Sequence, residues 1–163
     1  MPQILDVCCG SRMFYFNKNN PEVVYCDIRQ EKSILCDGRE LIIKPDIQCD
    51  FRFLPFKDNQ FSLVVFDPPH IENAGLLSWN TIKYGKLDKY TWRNDLRKGF
   101  FECWRVLKEH GSLIFKWNET QIYLKDVIKC FEPVKPVLGH TTTHNLKTHW
   151  LTFFKQNRPS VKL

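Results

Sequence analysis

The stretch S-L-V-V-F-D-P-P-H, from Ser62 to His70, decides how this chain of 163 residues is interpreted. Its run of β-branched and aromatic residues predicts a buried strand, and the two prolines require that strand to stop at Asp67. A carboxylate and an imidazole therefore stand where the strand ends. Ligands bind at that edge of open α/β sheets, although the same residues also suit an ordinary proline turn. The rest of the chain has to separate the two interpretations.

The composition is typical of one globular domain, because 163 residues with 43% hydrophobic content can bury one full core. No apolar run approaches membrane-spanning length, and the first apolar run lacks the basic lead-in of a signal peptide. Seven cysteines are an odd number and include no C-x-x-C pair. We therefore expect a soluble, cytoplasmic protein with no membrane contact, whose cysteines are reduced core residues.

Histidines and basic residues are the remaining candidates for binding. His140, His144 and His149 match no zinc-ligand spacing, so no metal site is predicted. The formal net charge is +6. Interleaved with aromatic residues is a basic cluster of Lys83, Lys86, Lys89, Arg93, Arg97 and Lys98. Such a cluster is either a solvated face or a surface for a polyanion, and a nucleic-acid partner, RNA or DNA, is plausible.

Periodicity and turn residues predict strands that alternate with helices. The predicted strands are Gln3–Cys8, Val23–Ile28, Ile47–Cys49, the strand that ends at Asp67, Ser112–Trp117, Val134–Leu138 and Trp150–Phe154. The predicted helices are Arg12–Asn19, a less regular segment within Gln30–Ile43, Arg93–Glu109 and Glu119–Phe131. The last two strands should form a hairpin at one edge of the sheet.

Four of these strands deliver an acid at the C-terminal end, namely Asp6, Asp27, Asp50 and Asp67. Any one of them is most simply a cap or turn residue, but one acid in each of four successive units is hard to reach by chance. After His70 comes a long segment, residues 71–91, with few periodic apolar residues. Loops of this length in a compact domain are uncommon, and we expect a substrate loop or lid.

These residues resemble a known family over essentially the whole chain. The motif L-D-V-C-C-G-S-R at Leu5 to Arg12 is similar to the first motif of class I S-adenosylmethionine-dependent methyltransferases. The resemblance implies an α/β fold: a Rossmann-like, doubly wound, mostly parallel seven-stranded sheet with a C-terminal β-hairpin and helices on both faces. It also implies S-adenosyl-L-methionine as the cofactor. Arg12 departs from the motif, because it stands where the last glycine is usual.

The same resemblance assigns the cofactor-binding residues. In the family, the acid and glycine turn of the first motif hold the methionine part, which corresponds here to Asp6, Cys8 and Gly10. The acid after the second strand binds the ribose hydroxyls and its neighbour packs on adenine, which implies these roles for Asp27 and Ile28. The acid after the third strand meets the adenine amine. Asp50 and Phe51, followed by L-P-F-K-D-N-Q-F, match that pattern.

The D-P-P-H turn resembles the [DNS]-P-P-[YFW] signature of methyltransferases that modify amino nitrogens of bases. The implied catalytic residues are Asp67, Pro68, Pro69 and His70, with Asp67 also at the cofactor; His70, Lys83, Tyr84 and Lys86 are the expected substrate-binding residues. An aromatic amine is a poor nucleophile, and two acceptors on a rigid turn can hold its hydrogens and direct its lone pair. His70 replaces the usual aromatic residue, so it either stacks on the base or accepts a proton.

The leading hypothesis is therefore an S-adenosylmethionine-dependent methyltransferase that acts on an amino nitrogen of adenine or guanine in RNA or DNA. One alternative is an N-methyltransferase of a protein or a small molecule. Another is a non-catalytic partner subunit that keeps the fold, since a fold alone does not settle function. The well-matched acids argue against this last alternative.

Overall fold

The fold was determined as a computed structural model that describes residues 1–35, 37–73, 75, 79–142 and 147–156, without the side chains of residues 79 and 80. The strands are β1 (Ile4–Asp6), β2 (Val23–Asp27), β3 (Glu31–Ile34), β4 (Glu40–Ile43), β5 (Ile47–Gln48), β6 (Phe61–Phe66), β7 (Leu107–Asn118), β8 (Leu138–Thr141) and β9 (Thr148–Phe154). The helices are α1 (Trp79–Tyr84), α2 (Trp92–Val106) and α3 (Leu124–Cys130).

Seven of the strands form one mostly parallel sheet in the order β5-β2-β1-β6-β7-β9-β8. Strands β1, β2, β5, β6 and β7 pair in parallel, whereas β9 runs antiparallel to both β7 and β8. The chain first builds the sheet outward from β1 through β2 to β5, and then returns to the other side of β1 with β6 and β7. The order therefore reverses between β1 and β6, and ligands bind at such a switch point in open α/β sheets.

One face of the sheet carries the main hydrophobic core. Helix α2 packs on β6 and β7 and also contacts α3. Alternate residues of β7, namely Leu113, Phe115 and Trp117, are fully buried in this core. The ring of Phe131 stacks on Phe100 of α2 at 4.1 Å between centroids. The sheet face under these two helices is thus rigid, and it holds the strands whose ends form the site.

The opposite face of the sheet is covered by an irregular segment instead of the predicted helix. Residues 12–19 form turns and irregular structure instead of the predicted helix. The Tyr15 ring packs edge-to-face on Tyr25 of β2 at 4.9 Å, and Phe14 packs on Trp150 of β9. Residues 17–21 are only asparagine, lysine and proline, so the segment has no room for a longer amphipathic repeat. The predicted Arg12–Asn19 helix is wrong.

The segment predicted as partly helical, Gln30–Ile43, is instead an antiparallel hairpin of β3 and β4. Its turn contains Gly38 at φ +82, a left-handed conformation that glycine adopts without strain. Leu35, Leu41 and Ile43 form a small separate apolar cluster with Ile82 of α1. The hairpin therefore packs against α1.

Other predicted elements exist with shifted ends. Helix α2 ends at Val106 and not at Glu109, because β7 begins at Leu107, five residues before the predicted Ser112. The helix predicted from Glu119 begins at Leu124, since Glu119 accepts a hydrogen bond from the Leu124 N–H at 3.1 Å. The strand predicted at Val134–Leu138 is β8, which begins only at Leu138.

Two general features of the described residues bear on the chemistry. No helix among them is long and apolar enough to span a membrane. The six cysteines that the structure describes are all free, and four of them are buried; Cys36 lies outside the described residues.

Candidate active site

A cavity of about 370 Å³ opens at the carboxyl ends of β1, β2 and β6, at the switch point of the sheet. Its lining includes most of the residues singled out from the sequence: Cys8, Gly10, Asp27, Ile28, Phe51, Asp67, Pro69, Lys83, Tyr84 and Lys86. The glycine turn after β1 and the D-P-P-H turn after β6 therefore face the same space. Asp6, Asp50, Pro68 and His70 are not among the lining residues.

The turn after β1 is shaped by two left-handed residues. Gly10 has φ +50, and a Cβ built on it meets no atom within 4 Å, so it would project into open space beside the cavity. The Gly10 N–H donates to Asp27 Oδ2 at 2.9 Å, which links this turn to the end of β2. Arg12, where the family has glycine, has φ 57 and so adopts a backbone conformation that glycine favours.

The Arg12 side chain has its own structural contacts. Its guanidinium donates to the carbonyl oxygens of Lys18 and Lys44, each at 2.8 Å, and to Asp46 Oδ1 at 2.9 Å. It also lies over the Tyr25 ring at 3.8 Å from the centroid. One side chain thereby joins the irregular segment after β1 to the residues between β4 and β5.

Asp27 is a buried acceptor at the cavity wall. Its Oδ1 accepts from the Arg29 N–H at 2.9 Å and from Arg29 Nε at 3.3 Å, and its Oδ2 accepts from Gly10. A carboxylate offers about four acceptor positions, so Oδ2 keeps one for a hydroxyl group in the cavity. Ile28, whose residue surface is 55% exposed, lines the same space as an apolar wall.

Asp6 lies behind the cavity wall and contacts it through Cys8. Asp6 is 1% exposed, and its Oδ1 accepts from the Cys8 N–H at 3.2 Å. Burial raises the pKa of Asp6 from 3.8 to about 7, with smaller contributions from the charges of Asp67 and Asp27. The hydrogen bond from Cys8 opposes this shift. Asp6 therefore supports the wall and does not form it.

The sequence motif after β5 separates into two roles. Asp50 accepts from Arg52 Nε at 3.0 Å and from Nη2 at 2.6 Å, and these hydrogen bonds lower the pKa of the Asp50 carboxyl. Arg52 Nη1 donates in turn to Asp95 of α2 at 2.9 Å. Phe51, by contrast, lines the cavity and packs edge-to-face on Phe66 of β6. The structure thus places Phe51 at the cavity and Asp50 in an ion-pair network beside it.

The D-P-P-H turn contributes Asp67 and Pro69 to the cavity wall. Asp67 Oδ2 accepts from Lys116 Nζ at 3.1 Å. Burial raises the pKa of Asp67, and the charge of Lys116 lowers it in part. Pro68 is buried, and its missing N–H requires no hydrogen-bond acceptor there.

His70 lies beside the cavity between two aromatic rings. Its centroid is 5.3 Å from that of Tyr84 and 6.2 Å from that of Trp117. Burial lowers the pKa of His70 from 6.5 to about 4, and the positive charge of Lys116 acts in the same direction. At neutral pH the ring is therefore uncharged.

The basic residues that follow His70 in the sequence are divided between the cavity and other parts of the surface. Lys83 and Lys86 line the cavity mouth with Tyr84. Arg97 donates instead to the carbonyl oxygens of Cys130 and Glu132, and Arg93 lies over the Trp92 ring. Residues 74 and 76–78 of the expected substrate loop lie outside the described residues, and the part that follows them contains helix α1.

A second, wider cavity of about 680 Å³ adjoins the first and shares Gly10, Ser11, Met13 and Lys83 with it. We call it the basic groove. Its lining has five cationic side chains, Arg12, Lys18, Arg39, Lys44 and Lys83, and two acidic ones, Glu40 and Asp46. Asp46 pairs with Arg12, Glu40 with Lys32, and Arg39 with Asp37. The excess positive charge of the groove therefore lies on Lys18, Lys44 and Lys83.

Outside the first motif, sequence reasoning missed five lining residues: Met13, Phe14, Arg29, Gly85 and Lys116. Phe14 and Arg29 gave no motif signal. Lys116 did give one, because it is a single cation within the apolar strand S-L-I-F-K-W. Strand alternation sends it to the face opposite Phe115 and Trp117, where a buried lysine needs a partner.

The cavity suits the cofactor that the resemblance implies. It combines a buried carboxylate with a spare acceptor position, apolar walls at Ile28 and Phe51, and open space over Gly10. S-adenosylmethionine carries ribose hydroxyls, an adenine ring and positive charge, each of which has a complementary group here. Asp27 would hold the ribose, and Ile28 and Phe51 would flank the adenine.

Solved structures with a similar fold include methyltransferases. The N-methyltransferase NodS from Bradyrhizobium japonicum WM9 is 13% identical, with a TM-score of 0.55 over 95% of this chain and 86% of NodS. A SAM-dependent methyltransferase from Methanosarcina mazei is 13% identical, with a TM-score of 0.52 over 94% of this chain and 92% of that one. The [4+2]-cyclase SpnF is 12% identical, with a TM-score of 0.54 over 94% of this chain and 74% of SpnF.

The sequence itself matches no protein-family model and no curated protein. At identities of 12–13% the structural likeness shows the fold alone. The chain therefore has the fold of S-adenosylmethionine-dependent methyltransferases: a mostly parallel seven-stranded sheet with helices and an antiparallel last strand pair.

Proposed function

We propose that this protein is a cytoplasmic, S-adenosylmethionine-dependent methyltransferase that acts on an amino nitrogen of a nucleic-acid base. One observation carries the proposal: the glycine turn after β1 and the D-P-P-H turn after β6 line a single cavity of about 370 Å³. The first turn carries the cofactor motif and the second carries the amine motif. Their common cavity is what a transfer between two bound molecules requires.

The residues of the D-P-P-H turn would orient the target amine. When bound, the cofactor supplies an electrophilic methyl group. Asp67 would accept one amine hydrogen and the Pro68 carbonyl the other, so that the nitrogen lone pair faces the cavity. Tyr84, which lines the cavity, offers a flat surface on which an extruded base can stack, and the uncharged His70 ring beside it would extend that surface. With a pKa of about 4, His70 is a poor proton acceptor at neutral pH.

The first test is cofactor binding. Calorimetry with S-adenosylmethionine should detect binding to the intact protein, and Asp27→Asn should weaken it about 10- to 150-fold, since a hydrogen bond to a charged group contributes about 1.5–3 kcal/mol. Asp126→Asn on α3 is the matched control, because this acid pairs only with Lys129 among the ion pairs described. An intact protein that does not bind the cofactor would contradict the proposal.

The second test identifies the substrate class. We would incubate the protein with methyl-labelled S-adenosylmethionine and separate pools of RNA, DNA, protein and metabolites. Label in RNA or DNA supports the proposal, and label only in protein or metabolites selects the alternative N-methyltransferase activity. Binding without any transfer would favour a non-catalytic subunit or a different reaction, and SpnF shows that this fold is also found in a protein described as a cyclase.

The basic groove is the surface that favours a nucleic-acid substrate. It adjoins the cavity at Lys83 and carries exposed apolar side chains at its rim, including Met13 at 63% exposure. The sequence pointed to a face with Lys83, Lys86, Lys89, Arg93 and Arg97. Of these, Lys83 lines the groove, whereas Arg97 is bonded to the carbonyls of Cys130 and Glu132. The groove is therefore the stronger candidate for a phosphate backbone.

Its role can be tested by the salt dependence of oligonucleotide binding. The log–log slope of affinity against salt should be about 0.7–0.9 per phosphate contact, and Lys18→Glu with Lys44→Glu should reduce it by about two contacts. Lys125→Glu and Lys129→Glu on α3 form the control pair. Equal slopes for the groove variants and the controls would place the nucleic acid elsewhere.

A further inference from the structure

Lys116 is a lysine whose position the strand pairing determines. It lies on β7, where Phe115 pairs with Phe66 of β6, so Lys116 is level with Asp67. Its Nζ donates to Asp67 Oδ2 at 3.1 Å. Both side chains are largely buried, with 17% of Lys116 and 16% of Asp67 exposed. The pair therefore sits in the wall of the cavity and not on the outer surface.

Two aromatic rings hold the ammonium from other directions. Lys116 Nζ is 4.8 Å from the centroid of Phe14 and 5.7 Å from that of Trp150. These two rings pack edge-to-face on each other at 5.0 Å. Trp150 is also the register partner of Lys116 on β9. Three separate parts of the chain thus converge on one ammonium group, which limits where it can move.

Asp67 faces charged groups from each neighbouring element. Asp6 lies on β1, Asp27 with Arg29 follows β2, and Lys83 and Lys86 stand at the cavity mouth. The other titratable neighbours are His70 in the same turn and Cys8. Burial opposes an ionised Asp67 and raises its pKa. Lys116 acts against this effect, because its ammonium is bonded directly to the carboxylate.

The protonation of Asp67 matters for an amine substrate. An ionised carboxylate only accepts hydrogen bonds, whereas a protonated one also donates. A donor directed at an amino group would meet its hydrogens and compete for its lone pair. With Oδ2 bonded to Lys116, Oδ1 remains as the acceptor for the amine.

We propose that Lys116 is a positioning residue, which holds Asp67 as an oriented carboxylate and leaves one of its oxygens to accept from the target amine. This inference rests on the proposed function. It adds a group on β7 that does not belong to the D-P-P-H turn and that acts only through Asp67. The aromatic pair of Phe14 and Trp150 keeps that group in place.

The first measurement needs no substrate. The side-chain carboxyl of Asp67 is titrated by carbon NMR in the cofactor-free protein and assigned by comparison with Asp67→Asn. Because an opposite charge lowers a carboxyl pKa by about 1–3 units, Lys116→Met should raise the pKa of Asp67 by that amount. Lys116→Arg should retain most of the wild-type value. Lys108→Met, on the same strand but bonded to Gln3 and Ser62, should leave the titration unchanged.

The second measurement is the pH dependence of kcat for methyl transfer. Activity needs ionised Asp67 and so rises with pH through its pKa. Lys116→Met should move this acidic limb to higher pH by the same interval as the NMR titration, and Lys116→Arg should restore it. A merely structural loss would lower kcat equally at every pH.

The outcomes separate this inference from the proposed function. An unchanged Asp67 titration in Lys116→Met overturns the inference, even if the wild type methylates nucleic acid. An NMR shift without a matching shift of the rate profile also overturns it, because Lys116 would then be structural only. A wild type that binds no cofactor overturns the proposed function, whatever the titration shows.

Discussion

His70 is the residue at which the structure most changes the expectation from sequence. The sequence left two roles open, a stacking ring and a proton acceptor. Burial between Tyr84 and Trp117, with Lys116 nearby, lowers the pKa of His70 to about 4. An imidazole with this pKa is a weak base at neutral pH, whereas an effective proton acceptor has a pKa close to the working pH. The stacking role is therefore the better supported of the two.

Substitution of His70 distinguishes the roles. His70→Phe keeps a flat ring without a proton site, so kcat and its pH profile between pH 6 and 8 should stay close to the wild type. His70→Ala removes the ring and should raise the KM for the nucleic-acid substrate about 5- to 150-fold, since a base–aromatic stack contributes about 1–3 kcal/mol. Steady-state kinetics over a pH series measures both effects, the pH profile of His70→Phe and the KM of His70→Ala. A large loss of kcat in His70→Phe would show that the imidazole nitrogens are needed.

At the scale of elements, the sequence predicted well the strands that are determined by their composition alone. The strands at Val23, Phe61 and Ser112 are runs of β-branched and aromatic residues, and each occurs close to its predicted place. The predicted strand ends also brought Asp27 and Asp67 to one edge of the sheet, where both line the cavity. That part of the site follows from the parallel topology.

The three misses share one physical cause, which is dependence on residues that are distant in the sequence. The segment after Gly10 has too few apolar residues for a helical face, and its conformation is determined by long-range contacts such as Arg12 to Lys44 and Asp46. The β3–β4 hairpin depends on pairing between Glu31–Ile34 and Glu40–Ile43, which local propensity does not reveal. Lys116 was missed because its partner is 49 residues away in the sequence.

Helix α2 positions a cavity wall through close packing at Gly99. A Cβ built on Gly99 would overlap the Phe51 ring and approach Phe66 at 3.0 Å. Gly99→Ala should therefore lower the free energy of unfolding by about 1–2 kcal/mol, because the cost of overpacking exceeds the gain of about 1 kcal/mol in helix propensity. The displaced Phe51 should also weaken cofactor binding. Urea unfolding and calorimetry measure the two effects.

Asn94→Ala is the matched control for Gly99→Ala. Asn94 is exposed in the same helix, so its substitution changes propensity without crowding the core. If Gly99→Ala were as stable as Asn94→Ala and bound the cofactor equally well, Phe51 would not depend on this contact.

For the whole molecule, two buried groups make stability depend on pH with opposite signs. The pKa of Asp6 is raised to about 7, so the folded state binds more protons between pH 4 and 7, and stability falls as pH rises through that window. The pKa of His70 is lowered to about 4, so the unfolded state binds more protons between pH 4 and 6.5. The stability that the neutral His70 contributes is therefore lost as pH falls through this range.

Asp6→Asn isolates the first of these effects. Relative to the wild type, the variant should gain about 2 kcal/mol in the free energy of unfolding between pH 5 and 7, because it has no proton to lose. Urea titrations at pH 5, 6 and 7 measure this difference. His70→Phe should show the opposite trend, with its gain increasing towards low pH. Parallel curves for Asp6→Asn and the wild type would mean that Asp6 titrates normally.

Arg12 has a consequence for protein engineering. Replacement of unusual residues by the commoner family residue often stabilises a protein. At position 12 that rule would suggest glycine, which relieves a left-handed φ of 57. The same change would remove the hydrogen bonds to Lys18, Lys44 and Asp46 and the contact with Tyr25. Consensus design would therefore weaken this chain at the position where it departs most visibly from the family that it resembles.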